Sequence, residues 1–73
     1  MQQAATGVTE IRQRQKMSIS QLAVRAELTR VTVYAVERGE SVSLETLVNI
    51  ARALGVSLSD IAPDVAKALE EVA

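Results

Sequence analysis

The sequence predicts an all-α fold, and three observations carry that reading. Hydrophobic residues fill 48% of the 73 positions, yet Tyr34 is the lone aromatic, so the core has to be aliphatic. Apolar residues recur at three- and four-residue spacing in one segment after another, the mark of one-sided helices. Ser or Thr stands just ahead of those segments, where a hydroxyl can accept a free backbone N–H of the first turn. The chain has no cysteine and no histidine, which excludes a disulfide framework and a Cys/His zinc site. A chain this short buries a modest core, so its margin of stability is thin.

The elements follow in order. Residues 1–5 carry no pattern and read as frayed. A first helix is expected over about Gly7–Gln15, with Thr6 as its cap and Val8, Ile11 and Gln15 on one side. Ser18 caps a second, Ile19–Ala26, whose Leu22, Ala23 and Ala26 form an apolar face. Glu27 and Leu28 make a short connector. Thr29 caps a third helix over about Arg30–Arg38, with Val33 and Val36 inward and Gly39 at the left-handed position beyond its end. The stretch VTVYAV is rich in β-branched residues and reads locally as a strand. The cap before it, the Glu-Arg-Gly stop after it and the inward spacing favour helix. No alternation persists long enough to predict strands. Residues 40–42 read as a loop. Ser43 caps a fourth helix, about Leu44–Leu54, with Leu44, Leu47, Ala51 and Leu54 as a stripe that Ile50 widens. Gly55 ends it. Ser57 caps a short fifth, about Leu58–Ile61. Pro63 suits the first turn of a last helical segment, Asp64–Val72.

Two helices joined by a tight turn at residues 18–39 make a helix-turn-helix, whose second helix fits a DNA major groove. Net charge is −1 overall, but it is unevenly spread. Arg12, Arg14, Lys16, Arg25, Arg30 and Arg38 outnumber Glu10, Glu27 and Glu37, giving +3 over residues 1–39. Arg52 and Lys67 are outnumbered by Glu40, Glu45, Asp60, Asp64, Glu70 and Glu71, giving −4 over residues 40–73. One side suits phosphates and the other solvent or a partner; mixed charges that only solvate a surface are the alternative.

The pieces Ile11-Arg12, SISQLA at 18–23, LTRVTVYAVERG at 28–39 and SLETLVNIARALGVSLSDI at 43–61 resemble the Xre-type helix-turn-helix regulators, the group of the lambda-type repressors and Cro proteins. The resemblance covers about residues 8–61. It implies a five-helix lambda-repressor-like domain, here with a short C-terminal helical extension over residues 62–73, and the whole chain as one domain. It implies that Arg12 pairs with Glu37, bracing the first helix against the third. It also implies that Thr29, Arg30, Val31, Thr32 and Ala35 face the groove. Arg30 is the candidate base reader, because its planar fork can donate twice to a guanine edge. Its alternative is a phosphate contact. Val31 and Thr32 offer methyls to thymine, and Thr29 is a cap first. Ser18, Ser20 and Gln21 open the second helix, where free N–H groups favour phosphate. Arg14, Arg38 and the Tyr34 hydroxyl are further phosphate candidates; the alternative for Tyr34 is a ring that covers the core edge.

Three departures from the family pattern stand out. Glu27 holds the turn position usually given to glycine, so the turn is expected to be strained or reshaped. Ile19 replaces a common polar phosphate contact. The loop at residues 40–42 is acidic and lacks the usual proline.

The function expected is a DNA-binding transcriptional regulator, repressor-like, that binds double-stranded DNA at a palindromic operator as a homodimer. The alternative is a protein-interaction module of the same fold, docking a protein partner and binding DNA weakly. For the dimer surface the candidates are Val48 and the stripe Val65, Leu69 and Val72; equally, the tail folds back over the first helix. An enzyme is not expected: a Gly-rich phosphate loop and a carboxylate pair in an evident pocket are both missing. No cofactor or metal is implied. The opening MQQAATGV has no basic region or apolar run, and no stretch is long enough to span a membrane, so a cytoplasmic location is the expectation.

Overall fold

In the computed structural model, which describes residues 2–72, the helical segments fall close to where side-chain chemistry starts and stops them. The order is β1 (Gln2–Gln3), α1 (Val8–Arg14), α2 (Ile19–Ala26), α3 (Arg30–Glu37), β2 (Val42–Ser43), α4 (Leu44–Leu54), α5 (Leu58–Ile61) and α6 (Pro63–Val72). The fold is all-α, with one minimal strand pair added.

Local capping explains the helix starts. Ser18 Oγ accepts the Gln21 N–H at 3.0 Å, and the Ser18 N–H donates to Gln21 Oε1 at 2.8 Å, a reciprocal cap. Thr29 Oγ1 accepts the Thr32 N–H at 3.2 Å, and Ser43 Oγ accepts the Thr46 N–H at 3.1 Å. At α5 the Ser57 N–H donates to Asp60 Oδ2 at 2.9 Å. The start of α1 differs from expectation. Gly7, at φ 73°, is the cap residue there. Thr6 is drawn away, because its N–H donates to the Ile61 carbonyl at 2.7 Å.

The ends of α1 to α4 share one device. Lys16, Glu27, Gly39 and Gly55 all have positive φ, at 57°, 58°, 80° and 70°. The next residue then donates back into the helix: Met17 to Arg12 O, Leu28 to Ala23 O, Glu40 to Ala35 O and Val56 to Ala51 O, at 2.9–3.1 Å. This is the Schellman closure, in which that following residue commonly adds an apolar contact. Met17 is buried, and Leu28 and Val56 pack against the core. Glu40 is the exception and is exposed.

Of residues 1–5, expected to be frayed, Gln2, Gln3 and Ala5 are tied down, and Met1 lies outside the described residues. Gln2 pairs with Ser43 and Gln3 with Val42 in antiparallel register, and Ala5 is buried. The strand pair brings the start of the chain beside the loop that follows α3. Two residues on each side are too few to leave an alternating pattern in the sequence.

Leu22, Leu47, Ile50, Ile61, Val33 and Val36 form the fully enclosed centre. They come from α2, α3, α4 and α5, so α3 is held from behind by the whole core. Ile19 packs against that core at its edge, which accounts for an apolar residue where a polar one was expected. Val65 is buried at 6% exposure and belongs to the same cluster. It therefore does not lie on a free stripe with Leu69 and Val72, which are 44% and 85% exposed. Gln3 and Leu44 border α6, so the extension lies beside β1 and the start of α4 rather than over α1. Val48 is half-buried.

Candidate nucleic-acid interface

Helix α3 has one face against the core and one in solvent. Val33 and Val36 are buried, whereas Arg30, Val31, Tyr34 and Arg38 are exposed and Ala35 half-exposed. At helical spacing these last five share one outward arc. Val31 is 74% exposed and Tyr34 49%, so half of Tyr34 stands in solvent. Thr32 sits at the edge of the arc and is half-buried. Its hydroxyl hydrogen-bonds Thr29 Oγ1 at 3.0 Å. That contact uses one part of the Thr32 hydroxyl's capacity and leaves its methyl free, while the bond from the Thr32 N–H makes Thr29 the cap.

Arg30 forms no ion pair among the described residues. Its five N–H donors stand at the first turn of α3, on a side chain in solvent. Arg14 is likewise exposed and outside any ion pair among the described residues. Arg38 differs: its Nε donates to Glu40 Oε2 at 2.6 Å, with both side chains in solvent.

At the start of α2, Ser18, Ser20 and Gln21 are exposed. The reciprocal cap uses an acceptor on Ser18 and on Gln21. What remains is the Ser18 hydroxyl proton and the Gln21 amide N–H groups, the donors a phosphate requires. Beside them Val24 is 77% exposed and, with Ser20, Gln21 and Arg25, lines a shallow depression on the outer side of α2. Sequence reasoning passed over Val24. Its offset from the stripe of Leu22, Ala23 and Ala26 was the available signal.

Helix α3 is locked to α1 by a polar cluster that also reaches the turn before α2. Arg12 Nε donates to Glu37 Oε2 at 2.6 Å, and Nη2 to Oε1 at 3.1 Å. Arg12 Nη1 also donates to the Met17 carbonyl at 2.9 Å. Thr9 Oγ1 adds a hydrogen bond to Glu37 Oε1 at 2.7 Å. The pair is nearly enclosed, with side chains 13% and 10% exposed. The hydrogen bonds that the Arg12 guanidinium donates to Glu37 are the main reason it is held above its ordinary pKa. Gln15 Nε2 donates to the Leu54 carbonyl at 2.7 Å, tying the end of α1 to the end of α4. Thr9 had no sequence signal for its role, while Gln15 was marked by lying on one side of the helix with Val8 and Ile11.

The arrangement can present an arginine and small apolar groups along one helix face, with hydroxyl, amide and guanidinium donors on either side. Comparison with known proteins agrees with this geometry. A family model described as helix-turn-helix matches residues 8–61. No curated protein matches. Among solved structures, the chain is similar to the restriction-modification controller protein C.AhdI from Aeromonas hydrophila, at 35% identity and a TM-score of 0.66. The match covers 70% of this chain and 79% of that one.

Proposed function

The chain belongs to the helix-turn-helix family of Xre and lambda-repressor type, and from that premise we propose that it is a sequence-specific DNA-binding regulator of transcription that inserts α3 into the major groove. The outward arc of α3 carries this reading: Arg30 and Val31 stand free in solvent on a helix whose opposite face is core. Arg30 reads a guanine edge, while Val31, Thr32 and Ala35 supply small contacts to neighbouring bases. Thr29 sets the start of the helix against the groove. Ser18, Ser20, Gln21, Arg14, Tyr34 and Arg38 meet phosphates and fix the register. The likeness to a controller protein makes control of a restriction-modification system the favoured setting.

One module offers a short readout, and a homodimer on a palindromic operator doubles it. The dimer face favoured here is the groove of about 220 Å³ lined by Leu44, Val65, Ala68, Leu69 and Val72, with Val48 as a further candidate. Exposed Leu69 and Val72 would be covered by the second copy.

The test is duplex binding, measured by fluorescence anisotropy across a salt series, on random DNA and on a sequence selected from a random pool. Binding should weaken with salt on a log–log line whose slope reflects several phosphates. Arg30→Ala should cost about 1–3 kcal/mol on the selected site and less on random duplex. An equal loss on both would make Arg30 a phosphate contact, and absence of binding at low salt would end the DNA reading.

A further inference from the structure

We propose that Glu40 acts as an electrostatic brake on DNA binding, by competing with phosphate for Arg38. The inference rests on the DNA-binding reading above and assigns Glu40 a part in it. Arg38 follows the last turn of α3 on the outward arc, and its Nε is held by Glu40 Oε2 at 2.6 Å.

A structural role does not account for this pair. It joins residues two apart across a single turn and connects no two elements. Its side chains are 58% and 53% exposed, and ion pairs this open contribute little to stability. The Arg12–Glu37 pair, by contrast, is enclosed and bridges two helices.

The helix ends supply a second, independent observation. After three of the four left-handed turns the next side chain turns to the core: Met17, Leu28 and Val56. The same position after α3 holds Glu40, exposed and bonded to Arg38. A carboxylate therefore replaces an apolar contact only at the helix end whose outer arc faces the proposed ligand.

The physical consequence follows from charge. Attraction to DNA grows with the positive charge brought to the phosphates and the counterions released. The Arg38–Glu40 pair brings none. A phosphate reaching Arg38 either displaces the carboxylate or accepts from the remaining guanidinium N–H groups beside a like charge. Because phosphates are the same in every sequence, the brake acts equally on selected and random DNA, leaving the base contacts of Arg30 unchanged.

The experiment compares wild type, Glu40→Gln, Arg38→Gln and the double variant on random and selected duplex over a salt series. Glu40→Gln should tighten binding about fivefold at low salt, by the same factor on both duplexes, and steepen the salt slope by about one. In the Arg38→Gln background the gain should vanish. A gain of the same size in that background would overturn the proposal, since Glu40 would then act on the DNA directly. Wild-type binding that Glu40→Gln leaves unchanged would overturn it alone, with the DNA reading intact. If wild type does not bind at low salt, the DNA reading falls and the brake, which rests on it, falls with it. Circular dichroism melting should show all four proteins equally folded, as expected for exposed side chains.

Discussion

At the scale of single residues, Glu37 carries the most consequence. It accepts from Thr9 and twice from Arg12 in a nearly enclosed setting. Removing it leaves a guanidinium with little water and no counter-charge. Glu37→Ala should lower stability by about 3–5 kcal/mol at most, a large share of what so short a domain holds. Urea unfolding would measure it. Replacing both Arg12 and Glu37 by Met should cost less than the two single changes added, because no stranded charge remains. The pH dependence has a definite sign. A guanidinium raised above its ordinary pKa in the fold contributes fully below its unfolded value. The contribution is lost only as pH climbs past the raised value, in strong alkali. Melts from neutral to mildly alkaline pH should therefore show no loss traceable to Arg12. The pairing itself was legible through family resemblance alone. Thr9 and the Met17 carbonyl were not legible, since they meet the pair only once α1 and α3 are packed.

At the scale of elements, the sequence was a good guide wherever the chemistry was local. Ser18, Thr29 and Ser43 cap the helices they precede in sequence. Gly39 and Gly55 mark two helix ends by residue type. Lys16 adopts the same backbone without advertising it, and Glu27 was marked only by its place in the family pattern, because the Schellman bonds impose the conformation rather than the side chain. Glu27 is thus a strained version of the usual turn, not a different turn. A β-carbon in that region is disfavoured by about 1–2 kcal/mol, partly offset by the extra freedom glycine has when unfolded. Glu27→Gly should accordingly raise stability by about 0.5–1 kcal/mol in chemical denaturation, with the helix content unchanged. The strand pair escaped the reading for the opposite reason. It joins Gln2 and Gln3 to residues some forty positions away, and no local pattern records such a partner.

At the scale of the whole molecule, α6 has two roles divided along its length. Val65 completes the core, and Val65→Ala should cost about 2 kcal/mol by thermal or urea unfolding. Leu69 and Val72 lie beyond the core's reach. Cutting the chain after Ala62 would therefore damage the fold and confound a test of self-association. The Leu69→Glu and Val72→Glu double variant avoids this. It should sediment as a monomer if α6 forms the dimer face, and its melting should change little in dilute solution. The candidate site follows the same division. Arg30 and Val31 were legible because they belong to one helix and its periodicity. The hold of Glu40 on Arg38 depends on where the chain turns after Gly39, which the sequence does not record.

The bond from Thr6 to the Ile61 carbonyl, with Ala5 and Val8 buried in the same core, makes the segment ahead of α1 wait for α5 during synthesis. Helices α2 and α3 can meet early, but Ile61 and Val65 must emerge before the shell around them closes. Domains generally fold as units during synthesis. For this one the unit closes only once α5 and the start of α6 have been made, so a chain lacking them exposes the aliphatic backing of α3 to whatever chaperone is near.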